Sequence, residues 1–76
     1  MPDGLYLMAT HTCPNCAAAQ EKLDAAGLRY QKLYAEENRA LAKAWRIMVA
    51  PTLVEVKNGV PKNYRGVSEI LGNLAQ

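Results

Sequence analysis

An unbroken apolar run, Leu5-Tyr6-Leu7-Met8-Ala9, follows the breaker-rich lead Met1-Pro2-Asp3-Gly4. A run of this length predicts a central strand covered on both faces. The period then changes. Cys16, Ala19, Leu23 and Ala26 recur at helical spacing, and Gln20, Glu21, Lys22 and Asp24 supply a polar side. Gly27 is placed to end this helix in a left-handed conformation. Leu28 to Tyr34 reads as a second strand, and Gln31 and Lys32 among its tyrosines suit a sheet edge. Strand, helix and strand at this spacing predict a right-handed βαβ unit with parallel strands.

Glu36, Glu37 and Asn38 open a second helix with negative charge, and Lys43 and Arg46 close it with positive charge, both in the sense the helix dipole favours. Its apolar stripe is Leu41, Ala44, Trp45 and Met48, with Trp45 assigned to core packing. Val49-Ala50-Pro51-Thr52 breaks the pattern. Leu53 to Lys57 follows as a third strand rich in β-branched residues. Asn58-Gly59 signals a tight hairpin, and the fourth strand, around Pro61 to Arg65, belongs at an edge because of its proline. Gly66 permits a turn, and Ser68 is expected to cap a last helix whose inward residues are Ile70, Leu71 and Leu74. Tyr6, Tyr30, Tyr34 and Tyr64 are assigned to sheet packing. The order is βαβαββα, an α/β class.

Length now limits the picture. Seventy-six residues make one domain, 1–76, whose small core must be well filled. The lead fits a natural start and the cut end of a longer protein equally well. With 50% hydrophobic and 21% charged residues the composition is that of an ordinary globular chain. The net charge of +2 is carried by Lys and Arg spread along the chain without interleaved aromatics, which argues against nucleic-acid binding. No early run reaches the length of a signal-peptide core or a spanning helix. A cytoplasmic monomer that does not engage membranes is expected.

Both cysteines and the only histidine fall in His11-Thr12-Cys13-Pro14-Asn15-Cys16. A proline after Cys13 suits the first helical position, so Cys13 is expected at the N-cap and Cys16 in the first turn. A thiolate there can accept from the free N–H groups near Asn15 and Cys16, and the helix dipole favours its charge. The thiolate is the nucleophile. Cys13 is therefore expected to attack a substrate disulfide, and Cys16 to resolve the mixed intermediate. As a structural staple the pair would close only a tiny loop. Zinc needs four ligands where the chain has two cysteines and His11, and an iron–sulfur cluster needs a second copy. A domain that only docks partners is the non-enzymatic alternative. His11 can hold Cys13 ionised when protonated, but the favoured reading is a solvated loop residue. Thr12 is expected to orient the loop. Arg65 is read either as a solvated side chain or as a contact for an acidic partner.

Taken together, an early strand, Cys13-Pro14-Asn15-Cys16 opening a helix, a second βα step, and Ala50-Pro51-Thr52 before a hairpin and closing helix resemble the thioredoxin and glutaredoxin superfamily over essentially the whole chain. The resemblance implies a thioredoxin-like fold, a four-stranded mixed sheet with helices on both faces. It implies a thiol–disulfide oxidoreductase with Cys13 and Cys16 catalytic, and a redox-active disulfide in place of a cofactor or metal. It also implies that Pro51 is cis opposite the cysteines, with the Ala50 backbone pairing to an extended substrate. His11, Thr12, Pro14, Gly66, Val67 and Ser68 would border that groove.

Two departures bear on the choice within the superfamily. Thioredoxins carry a buried acid six residues before the first cysteine, where this chain has Leu7. Glutathione-using glutaredoxins usually show Thr-Val-Pro, and Gly-Gly followed by acids, where this chain has Val49-Ala50-Pro51 and Gly66-Val67-Ser68. Thr10 to Cys16, Ala35-Glu36-Glu37-Asn38, Ala50 to Val54 and Gly66-Val67-Ser68 most resemble the small redoxin domains associated with anaerobic ribonucleotide reductases. The implied partners are a disulfide-containing protein such as ribonucleotide reductase, with a flavoprotein reductase or glutathione as electron source. A glutathione-dependent glutaredoxin is the alternative.

Overall fold

The computed structural model describes residues 2–74, with side chains through Gly72. Its elements are β1 (Gly4–Ala9), α1 (Pro14–Ala25), β2 (Gln31–Tyr34), a 3₁₀ turn (Ala35–Glu37), α2 (Arg39–Ala44), β3 (Thr52–Lys57), β4 (Val60–Arg65) and α3 (Gly66–Leu74). They build a four-stranded sheet in the order β2-β1-β3-β4. β1 runs parallel to β2 and antiparallel to β3, and β3 is antiparallel to β4. The polar second strand and the proline-bearing fourth strand are thus the two edges, as their residues predict.

Alternation along the central strands divides the core between the two faces. Leu7 and Leu53 point to one side, where Ala19 and Leu23 of α1 and Ile70 of α3 complete a buried cluster. Tyr6, Val54 and Val56 point to the other, covered by Leu33, Trp45 and Ile47. Because both faces are covered, a strand that stays buried must be apolar at consecutive positions, which explains the run from Tyr6 to Ala9. Trp45 packs against Tyr6 with ring centroids 5.6 Å apart, in the core role assigned to it. Among the described residues no helix is long and apolar enough to cross a membrane.

Several local expectations are corrected. The second strand is shorter than Leu28 to Tyr34: Leu28 and Tyr30 pack on the core from the loop before it. Tyr30 is therefore not a sheet residue, and its hydroxyl donates to Asp24 Oδ1 at 2.8 Å. Burial, then the Asp24 carboxylate, pushes that hydroxyl up to about 12. Ala26 lies exposed at the C-cap of α1, not on its inward face. The second helix breaks in two at Asn38, whose side-chain amide donates to the Tyr34 carbonyl at 2.9 Å. It then ends early, with Arg46 at a left-handed φ of 56°. Ala44 and Met48 thereby leave the apolar stripe, and Met48 becomes an exposed loop residue. Ser68 lies exposed inside α3, which begins at Gly66 (φ 76°), so it caps nothing. Glu69 accepts from the Arg65 N–H at 3.2 Å at that helix start. Ile70 is buried and Leu71 half-buried, while the side chain of Leu74 lies outside the described residues.

Asn58 and Gly59 both take positive φ, 55° and 78°, as a two-residue hairpin turn requires. Asp3 clamps this turn from the other end of the chain. Its carboxylate oxygens accept from the Asn58 N–H at 2.9 Å and the Gly59 N–H at 3.2 Å. These bonds, Asn58's first, hold its carboxyl below the ordinary range. A carboxyl lowered by folding contributes stability that is complete above its unfolded value of about 4 and is lost as pH falls through the folded value. In Asp3→Ala, the urea midpoint is expected to fall at pH 7, and the difference from wild type to shrink toward pH 2. An equal deficit at both pH values would place the effect elsewhere.

Candidate functional site

Cys13 occupies the N-cap of α1 in extended backbone (φ −122°, ψ 99°), with Pro14 at the first helical position. The Cys16 N–H donates to Cys13 Sγ at 3.1 Å and also reaches the Cys13 carbonyl at 3.2 Å. Asn15, expected to share this role, makes no such bond among the described residues. The two sulfurs are joined as a disulfide, with Cα atoms 5.3 Å apart. Cys13 is partly exposed, whereas Cys16 faces the core at 3% exposure. An incoming group therefore meets Cys13 first.

Strand register brings the other predicted residues to the same end of the sheet. β1 and β2 end side by side, Ala9 opposite Tyr34, and β3 begins at Thr52, which pairs with Met8 on one side and with Arg65 on the other. The segments holding His11 to Cys16, Ala35 to Glu37, Val49 to Pro51, and Gly66 with Val67 all leave from that end. The Ala50–Pro51 peptide is cis. Pro51 is buried, its carbonyl accepts from the Gly66 N–H at 2.8 Å, and Thr52 Oγ1 donates to the Val49 carbonyl at 2.7 Å. Ala50 is half-buried, and its backbone has no hydrogen-bond partner among the described residues. Val67 packs partly against the core, while Thr12, Pro14 and Ser68 are exposed. Arg65 is exposed at the same end.

His11 departs from the solvated reading. Its ring stacks on Tyr34, centroids 3.9 Å apart and planes 15° from parallel. Its Nε2 lies 2.7 Å from Glu37 Oε2, and its backbone N–H donates to Glu36 Oε2 at 3.1 Å. That N–H is the main cause holding the Glu36 carboxyl below the usual carboxylate range. Lys32 Nζ sits 4.9 Å from the centre of the same Tyr34 ring. With His11 and Glu37 half or more exposed (51% and 64%), this contact is worth about 1 kcal/mol at most, and it ties the segment entering Cys13 to the turn after β2. Sequence reading assigned Glu36 and Glu37 to helix charge and Tyr34 to sheet packing. Parallel pairing was the available signal: Tyr34 opposite Ala9 puts its ring beside a residue two further along the first chain segment.

Leu7, six residues before Cys13, is fully buried among Ala19, Leu23, Leu53 and Ile70 and puts no carboxylate behind the cysteines. Among the described residues no three His, Cys, Asp or Glu side chains gather where they could share a metal ion.

No protein-family model and no curated protein sequence matches this chain. Solved structures do match. A thioredoxin from Fasciola hepatica superposes with a TM-score of 0.76 at 16% identity, over 93% of this chain and 76% of its own. A buckwheat glutaredoxin in complex with glutathione gives 0.69 at 18%, over 93% and 67%. A malarial protein gives 0.63 at 18%, over 93% and 90%. At these identities the likeness is one of fold, and the fold is thioredoxin-like, as the motif pattern implies.

Proposed function

We propose that this chain is a small redoxin, a thiol–disulfide oxidoreductase that reduces protein disulfides through Cys13 and Cys16. The observation that carries the reading is the pair itself: an accessible sulfur at a helix N-cap receiving a backbone N–H, joined to a buried second sulfur. In the reduced protein the Cys13 thiolate attacks one sulfur of the substrate disulfide. A mixed disulfide forms, and the other substrate sulfur leaves as a thiolate. Cys16 then attacks the Cys13 sulfur, expelling the second substrate thiolate. Two electrons pass to the substrate, which takes up two protons, and the Cys13–Cys16 disulfide remains. With Leu7 in place of an acid, the substrate's departing thiolate is the acceptor for the Cys16 proton. The backbone of Ala50, without a hydrogen-bond partner among the described residues, suits pairing with an extended substrate segment, which Pro51, Gly66, Val67, His11, Thr12 and Pro14 would border.

The finer reading is a cytoplasmic, monomeric electron donor to ribonucleotide reductase, recharged by a flavoprotein reductase and using no cofactor beyond its own disulfide. Its support is the residue pattern, in which the segments that hold glutathione in glutaredoxins read Val49-Ala50-Pro51 and Gly66-Val67-Ser68. The second reading, a glutathione-dependent glutaredoxin, draws on the fold shared with the buckwheat glutaredoxin–glutathione complex. Oxidised protein supplied with glutathione and its reductase, or with a thioredoxin reductase, separates them. Trp45 fluorescence and thiol titration follow the reaction. Rapid reduction by the flavoprotein alone is expected. Fast, saturable reduction by glutathione would replace this reading with the second.

A further inference from the structure

The segment leading into Ala50 carries the most exposed large apolar side chain among the described residues, Met48 at 89%, with its neighbour Val49 at 49%, while Val60 at 66% stands apart at the start of β4. Two adjoining hollows meet at Ala35, Ile47 and Met48. The smaller, about 160 Å³, reaches Thr10 and Ala50 beside the dithiol end of the sheet. The larger, about 560 Å³, reaches Arg39, Lys43 and Arg46. Together they form a trough that starts at Ala50, runs over an apolar floor and ends against a cationic wall.

Local structure explains why the cations stand together. Arg39 and Lys43 are four residues apart on α2, hence on one face, and the left-handed turn at Arg46 ends the helix just beyond them. No carboxylate lies within 4.0 Å of any of the three among the described residues. Glu36, which feels the charge of Arg39, is already engaged by the His11 N–H. Three unpaired cations beside an exposed methionine are complementary to an acidic ligand with an apolar anchor.

We propose that this trough selects the substrate: it binds an acidic flank of a disulfide-bearing polypeptide, with an apolar side chain over Ile47 and Met48 and carboxylates toward Arg39, Lys43 and Arg46. The proposal rests on the oxidoreductase reading and names its substrate class. A segment paired with the Ala50 backbone would continue into the trough without leaving the surface.

The test uses the oxidised full chain and two synthetic peptides that differ only in a Leu-Glu-Glu or a Leu-Lys-Lys flank, with serine in place of cysteine so that binding is read without chemistry. At low salt the acidic peptide is expected to bind roughly tenfold more tightly, a difference that shrinks as salt is raised. In the double variant Arg39→Glu, Lys43→Glu, with folding checked by circular dichroism, the order of the two peptides reverses. Equal affinities in the wild type, or an unchanged order in the folded variant, would overturn the proposal. Reduction of the disulfides of insulin, a protein substrate, is measured alongside. Its absence in the reduced wild type refutes the oxidoreductase reading and leaves the peptide comparison to decide the trough on its own.

Discussion

Cys13→Ser is expected to reduce disulfide exchange to the uncatalysed rate, whereas Cys16→Ser stops it one step later and accumulates a mixed disulfide through Cys13. The asymmetry follows from position. Cys13 is partly exposed and receives the Cys16 N–H at 3.1 Å, so its thiolate is both reachable and supported by the free end of α1. Cys16 faces the core at 3% exposure and is reached only from Cys13. Mass spectrometry of each variant after incubation with a disulfide-bonded protein distinguishes the two. Brief iodoacetamide treatment of the reduced wild type should label Cys13 first. Labelling of Cys16 ahead of Cys13, or a stable adduct in Cys13→Ser, would reverse the assignment.

Leu53→Ala is expected to destabilise the fold by about 2–5 kcal/mol, a large part of the roughly 5–15 kcal/mol that holds a small domain together. Leu53 is fully buried on β3, the strand that pairs with both β1 and β4, and it joins Leu7, Ala19, Leu23 and Ile70 in the cluster beneath α1 and α3. A cavity there has nowhere to collapse, because the sheet is fixed on both sides of it. Urea unfolding should show a lower midpoint at unchanged slope. Met48→Ala is the control, with an expected change within about 0.5 kcal/mol because its side chain lies almost wholly in solvent. A loss at Met48 comparable to that at Leu53 would mean that the loop before Ala50 is a packing element and not an open surface.

Interactions between near neighbours were legible in the residues themselves. Pro14 after Cys13 can start a helix and cannot sit within one, Asn58-Gly59 supplies the two positive φ values of a hairpin turn, and the run from Leu5 to Ala9 has no polar face to turn outward. From these come the element order, the edges and centre of the sheet, and the N-cap place of Cys13. Where partners come from distant parts of the chain, the residues alone were insufficient. Helical spacing carried the second helix through Met48, but the Asn38 side chain bonded to Tyr34 and the left-handed Arg46 divide and end it, and Met48 is released to the surface. Ser68 resembles a cap in isolation, yet the helix already begins two residues earlier at Gly66, whose N–H is tied to the Pro51 carbonyl. His11 had no visible partner until parallel pairing laid Tyr34 beside the end of β1 and brought Glu36 and Glu37 within reach. The dithiol and the helix end that supports it can be read from the residues alone, because that chemistry lies within four consecutive positions. What surrounds them depends on contacts distant in the chain, because His11, Ala50 and Gly66 converge through strand register, and register depends on which side chains find burial together.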